Sequence, residues 1–170
     1  MSSNPRKFLP ALGLLALAGC GFTPLYGQGG SGGVAQRLDT VAVGNIPERP
    51  GQMLRESLET QLHTAGAPTR ELYSLSVAYT ISTAGIGVQQ DTATTRNRLN
   101  ATAGWVLTPI GGGAPLASGT ATTEDAANIV DQQYFALTLE TSTVNQQLAD
   151  TIAAQITSQL AAYFHSHPGA

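Results

Sequence analysis

Residues 72–82 read LYSLSVAYTIS. Tyr73, Leu75, Val77, Tyr79 and Ile81 alternate with Ser74, Ser76, Ala78, Thr80 and Ser82. That is the period of a strand with one face buried and the other wet. The pattern continues, with a bend at Gly85 and Gly87, to Val88. A polar turn follows around Gln89 to Thr94, and then Leu99, Ala101, Ala103, Trp105 and Leu107 alternate again as a third strand. Pro109 and Gly111-Gly112-Gly113 form the next turn. Leu116 to about Thr123 reads as a fourth strand, rich in Ala, Gly and Thr. Turns this short make the second, third and fourth strands an antiparallel meander.

Two helices and one strand flank the meander. Leu38 to Ile46 carries Val41, Val43 and Ile46 and reads as a short first strand, stopped by Pro47 and Pro50. Gly51 to Ala65 reads as a helix in which Leu54, Leu58 and Leu62 recur every four residues and Ala65 completes the stripe. Arg55 and Glu59 sit on its outer side, and Gly66 and Pro68 end it. Thr138 to Phe164 reads as a long second helix, with a start as early as Tyr134 equally compatible with the pattern. Val144, Leu148, Ile152, Ile156 and Leu160 form its stripe, widened by Ala149, Ala153 and Tyr163. The order β-α-β-β-β-α predicts an α+β fold with two layers: two helices on one face of a four-stranded, mostly antiparallel sheet. The other face stays open, lined with Ser, Thr, Asn and Arg. Trp105, Tyr73 and Tyr79 are expected to fill the core; any of them turned outward would instead meet a partner.

The N-terminus is a different kind of segment. Arg6 and Lys7 precede an apolar run from Phe8 to Ala18, too short to span a bilayer as a helix and of the length of a signal-peptide core. It ends in Leu17-Ala18-Gly19-Cys20, where small residues suit a signal peptidase and the cysteine thiol can accept a diacylglyceryl group. This resembles the lipobox of bacterial lipoproteins. Residues 1–19 are then a signal peptide, and Cys20 is the lipidation site. Two or more acyl chains on one cysteine suffice for stable anchoring. Gly21 rather than aspartate follows it, which favours the outer membrane. Gln28 to Gly33 reads Gln-Gly-Gly-Ser-Gly-Gly, a tether composition. Residues 20–36 are therefore expected to be a flexible link, 37–165 the folded domain and 166–170 a tail.

Composition narrows the function classes. Cys20 is the single cysteine, so no intramolecular disulfide is possible. Eight Lys and Arg face eleven Asp and Glu. Removing Arg6 and Lys7 with the signal leaves six arginines and no lysine, a net charge of −5. That balance argues against nucleic-acid binding, which needs a basic patch. Charged residues are only 11% of the chain, well below the usual quarter or so. No nucleophile and base pair by spacing, so the chain is not expected to be an enzyme. His63 follows Leu62 at the end of the first helix, and His165 and His167 lie at the C-terminus, too few ligands for a metal. Glu124 and Asp125 would point to opposite faces of a strand, a poor start for paired carboxylates. No cofactor is expected beyond the covalent lipid on Cys20.

The lipobox cysteine runs into Cys20-Gly21-Phe22-Thr23-Pro24-Leu25-Tyr26-Gly27. This heptad and its cysteine resemble the LptE family of lipopolysaccharide-assembly lipoproteins. So do the element order, Arg96 at the start of the third strand, Gly119 within the fourth, and Leu148-Ala149-Asp150 with Leu160-Ala161-Ala162-Tyr163 in the last helix. The resemblance extends from Cys20 to about Tyr163. It implies a lipid-anchored protein on the periplasmic face of the outer membrane, with an LptD-like β-barrel and lipopolysaccharide as partners. Such proteins plug the barrel and assist lipopolysaccharide insertion. An auxiliary lipoprotein of a membrane lipid transporter is the alternative reading. In the light of the resemblance Arg96 and Arg98 are the candidate lipopolysaccharide contacts. Two apart in a strand, they can share the open face, and guanidinium binds phosphate in bidentate fashion. The bland reading of the same pair is a set of solvated charges that discourage edge pairing.

Overall fold

The computed structural model describes residues 32–64, 70–88, 94–128 and 134–168. The signal peptide, Cys20, the turn around Gln89 to Asp91 and the helix stops at Gly66 and Pro68 lie outside these residues. Seven elements are described: α1 (Gly32–Leu38), β1 (Val41–Val43), α2 (Glu48–Leu62), β2 (Tyr73–Val88), β3 (Thr94–Pro109), β4 (Ala117–Asn128) and α3 (Tyr134–Ser166).

The four strands lie in the order β1-β2-β3-β4. β1 pairs parallel with β2, Val41 against Tyr73 and Val43 against Leu75. A parallel neighbour needs a crossover connection, and α2 supplies it. β2 and β3 pair antiparallel from Tyr73↔Pro109 to Val88↔Thr94, with the register shifting at Gly85, Gly87 and Val88 where the sequence suggests a bend. β3 and β4 pair antiparallel from Leu107↔Ala117 to Arg96↔Asn128. The turn between them carries positive φ at Gly111 (112°) and Gly112 (95°), where a side chain would be strained, and the Leu116 N–H donates to the Leu107 carbonyl at 2.8 Å to close it.

The sheet is thus mixed, with one parallel and two antiparallel pairs, and α2 and α3 cover one face of it. The alternation of residues 72–82 sorts as expected: Tyr73, Leu75 and Val77 are buried, Tyr79 and Ile81 half-buried, and Ser76, Ala78, Thr80 and Ser82 exposed. On β3, Leu99, Ala101, Ala103, Trp105 and Leu107 are all buried. The α2 stripe Leu54, Leu58, Leu62 and the α3 stripe Val144, Leu148, Ile152, Ile156, Leu160 meet them. Phe164 extends the α3 stripe by one further turn and is fully buried, whereas Tyr163 is half-buried and stacks on His167.

Several boundaries differ from the sequence reading: β1 is only Val41–Val43 of the expected Leu38–Ile46, with Leu38 taken by a helix, and α2 ends at Leu62, short of Ala65. α2 begins at Glu48, so Pro50 lies in its first turn instead of only ending β1; a first-turn proline has no helical acceptor to lose. β4 runs on to Asn128 through Glu124 and Asp125, because β3 offers a ladder there that strand propensity would not demand. A short helix, α1, takes up residues 32–36 that composition assigns to the tether. Val34 and Leu38 of α1 are buried. Arg37 fastens it to the far end of the chain: its Nη1 donates to the His167 carbonyl at 2.6 Å and the Phe164 carbonyl at 3.3 Å, and its guanidinium lies 4.6 Å from the centre of the Phe164 ring. A cation at the C-terminal carbonyls of α3 also complements the helix dipole. Residues Gly33–Ala170 form one compact unit.

Candidate functional site

The face of the sheet away from the helices presents cross-strand rows fixed by the register. One row is Thr80, Thr102 and Thr122; the next is Ser82, Asn100 and Glu124; then come Ala84, Arg98 and Ala126. On the other side of the threonine row lie Ala78, Gly104 and Thr120. Thr80, Ser82, Thr102, Thr120 and Thr122 are exposed. Thr80 Oγ1 and Ser82 Oγ lie along β3, each 3.5 Å from a backbone carbonyl (Thr102 and Asn100), at the weak limit of a hydrogen bond. Their bonding capacity remains largely available to whatever lies above the sheet. Arg98 and Glu124 bring charge to one end of this otherwise neutral surface. Arg98 is exposed and, among the described residues, makes no ion pair. Arg96 is placed by register alone, opposite Asn128 on β4 and Gly87 on β2.

The two outer edges of the sheet are treated differently. Outward backbone groups in the middle of β4, at Thr120 and Thr122, are met by side chains of α3. Gln155 both accepts from the Thr122 N–H at 3.2 Å and donates to the Thr122 carbonyl at 3.1 Å, as a neighbouring strand would. Gln159 Nε2 donates to the Thr120 carbonyl at 3.1 Å, and its Oε1 accepts from Trp105 Nε1 at 2.8 Å. Asp125 Oδ1 takes the Ala126 N–H at 2.7 Å. These glutamines escape a sequence reading, because the helix pattern cannot show which strand lies beside them. At the other edge, β1 covers only Tyr73–Leu75 of β2.

Other candidates resolve into structure. His63 caps α2, and its Nε2 donates to the Val41 carbonyl at 2.9 Å, which ties the helix end to β1. Glu124 is exposed opposite Asn100 while Asp125 is half-buried opposite Leu99, so the two carboxylates do face apart. Trp105 and Tyr73 are buried core residues. Tyr79 is half-buried with its hydroxyl out of water and without a hydrogen-bond partner among the described residues, and burial pushes that hydroxyl up from 10.0 to about 12.

Between α2 and α3, Ser57 Oγ donates to Asp150 Oδ1 at 2.5 Å, and Gln146 Nε2 donates to both, at 3.1 and 2.9 Å. This cluster lines an open cavity of about 280 Å³ with Glu56, Thr60 and Gln61. It joins two helices through hydrogen bonds and holds no histidine to act as a base. Among the described residues no three His, Cys, Asp or Glu gather as a metal site, and no helix is long and apolar enough to cross a membrane.

Comparison with known proteins agrees with this architecture. The family model LptE, described as lipopolysaccharide-assembly, matches residues 38–160. A protein of Caulobacter crescentus CB15 described as a lipoprotein superposes with a TM-score of 0.62 at 24% identity, over 78% of this chain and 96% of that one. Rare lipoprotein B from Shewanella oneidensis gives 0.57 at 9% identity, over 76% and 97%. A minor lipoprotein from Acinetobacter baumannii gives 0.56 at 19% identity, over 72% and 91%. At these identities the structures speak for the fold. No curated protein sequence matches the chain.

Proposed function

From the premise that the chain belongs to the LptE family of lipopolysaccharide-assembly lipoproteins, we propose that it is anchored by lipid on Cys20 at the periplasmic face of the outer membrane and acts there as the non-catalytic partner of an LptD-like β-barrel. One observation carries the reading: the broad open face of the sheet is built mostly from small uncharged side chains, threonine and serine together with alanine and glycine. Enclosing a charge without a partner costs several kcal/mol. Neutral hydroxyls and amides instead exchange water for hydrogen bonds at little net cost. Such a face suits the hydrated wall of a barrel lumen. The sequence reading makes the residues after Cys20 the link to the anchor, and the twelve from Cys20 to Ser31 could reach about 40 Å at most. Arg96 and Arg98 lie at one end of β3, where guanidinium groups could meet lipid A phosphates.

Photocrosslinkers at Thr80, Asn100 and Thr102 test the reading in intact cells. Capture of barrel strands from all three is expected. Capture of lipid alone, together with purification of the lipoprotein free of any barrel, would sink it. Cys20→Ala should abolish incorporation of a fatty-acid analogue and leave unprocessed precursor. Arg96→Ala with Arg98→Ala should leave the complex intact and weaken lipopolysaccharide binding, more so at low salt; unchanged binding returns both arginines to the role of solvated strand charges.

A further inference from the structure

We propose that the free edge of β2, from Tyr79 to Thr83, receives an extended segment of the partner barrel protein as an added strand. This rests on the barrel-partner reading above. The direction of the backbone groups follows from β1. The Tyr73 N–H donates to the Thr40 carbonyl at 3.2 Å, and the Leu75 carbonyl accepts from the Gly44 N–H at 2.9 Å. Odd-numbered residues of β2 therefore turn their N–H and C=O away from β3, and Tyr79, Ile81 and Thr83 continue that row. β1 stops at Val43 and the chain leaves for α2, so the row has no backbone partner among the described residues beyond it.

The chemistry of this edge is that of a pairing surface. Natural edge strands are usually blunted by charge, proline or a covering element. Residues 76–85 of β2 read SVAYTISTAG, with no charged residue and no proline. β4, by contrast, has Glu124 and Asp125 and is met by Gln155 and Gln159. One edge is engaged in its middle by the protein's own side chains and carries charge beyond them, and the other continues an interface that β1 already uses. The incoming segment should copy β1, whose Val41 and Val43 are buried on the helix side. Its apolar residues would extend the cover over Tyr79 and Ile81, which are half-buried. Its alternate residues would be small and polar, extending the Thr80 and Ser82 rows.

A second copy is the weaker occupant. A two-fold pairing would set Tyr79 against Ile81 of the copy, but five residues span only about 17 Å. Such a contact falls far short of the roughly 1,200 Å² of a stable interface. A partner already held by the sheet face supplies the effective concentration that a short edge lacks.

Hydrogen exchange on the full lipoprotein in detergent, alone and co-expressed with its LptD-like barrel, reads the edge directly. In the complex the amides of Tyr79, Ile81 and Thr83 should exchange about 100-fold more slowly than in the free protein. Those of Thr80 and Ser82, already in the ladder with β3, should change little. Thr83→Pro removes an outward N–H and no ladder bond, and should shorten the lifetime of the complex about tenfold. A complex whose edge amides exchange as fast as in the free protein overturns this inference and leaves the barrel reading standing. Failure to form any complex overturns both. Protection of these amides in the free protein, with dimers on sedimentation, assigns the edge to a second copy and overturns the proposal.

Discussion

Replacing Gly119 by alanine should destabilise the domain by about 2–4 kcal/mol, a large effect for one methyl group on an outer strand. Gly119 faces Trp105 across the β3–β4 ladder. A Cβ there would lie 2.7 Å from Gln159 Oε1 and 2.8 Å from Cζ2 of Trp105, where ordinary contact begins at 3.4 Å. Trp105 is only 4% exposed, so its ring has little room to retreat. Moving it means overpacking, which costs about 1–3 kcal/mol. Moving Gln159 instead breaks its bonds to the indole N–H and to the Thr120 carbonyl, about 1 kcal/mol each. At roughly 4 °C per kcal/mol for a domain of this size, the melting temperature should fall by about 8–16 °C. Because the chain has one tryptophan, its emission spectrum reports the same event locally. Gly104→Ala is the matched control: it adjoins Trp105 in sequence, but a Cβ there meets nothing within 4 Å. It should change stability by less than about 1 kcal/mol. A Gly119→Ala protein with the wild-type melting temperature and unchanged emission would refute the packing argument.

Two further predictions concern the ends of the core. Burial raises the Tyr79 hydroxyl from 10.0 to about 12, so the folded state holds that proton more tightly than the unfolded chain; the stability this gives is complete below pH 10 and is lost as pH rises through 12. Tyr79→Phe should remove about 1–2 kcal/mol of that alkaline decline, allowing for partial exposure, and leave stability at pH 7 unchanged or higher; identical alkaline melting curves for the two proteins would refute it. Arg37→Ala should cost about 1–3 kcal/mol by freeing the Phe164 and His167 carbonyls from a charged donor, and amide exchange at the end of α3 should rise; calorimetric melts indistinguishable from wild type would show that the clamp does not hold α1.

Much of the fold is legible from local pattern, because its strands and helices each bury one face. The alternation in residues 72–82 and 99–107 and the four-residue stripes of α2 and α3 reach the core as read. What escapes the sequence depends on partners distant in the chain. Gly32 and Gly33 are poor helix formers, yet α1 forms, with Val34 and Leu38 buried and Arg37 on the end of α3. Glu124 to Asn128 has weak strand propensity and is held by its ladder to β3. At the candidate site the open face follows from alternation alone. The closing of β4 by Gln155 and Gln159 does not, since a polar helix face and a strand edge become one feature only when packing brings them together.

The placement of charge argues which surface a partner could enclose. Arg55 and Glu59 pair with each other on the outer side of α2, at 2.9 Å, and Asp150 is taken up between the helices. Arg49 and Glu56 are also exposed on α2. The sheet face spends its length on threonine, serine, alanine and glycine, with Arg98 and Glu124 displaced to the end away from the Gly111–Gly113 turn. Against a wall of matching hydrogen-bond groups, the desolvation penalty on that face is small except at this end. Arg98 and Glu124 would then have to stay hydrated or find counter-charges. On the proposed function an anionic lipid phosphate would satisfy Arg98, and a barrel arginine or lysine would satisfy Glu124. If that proposal holds, a face sparing in charge along most of its length, with one of each sign at one end, would set a direction of insertion as well as a surface. Exchanging the two, Arg98→Glu with Glu124→Arg, keeps the net charge and should weaken the complex by misplacing both.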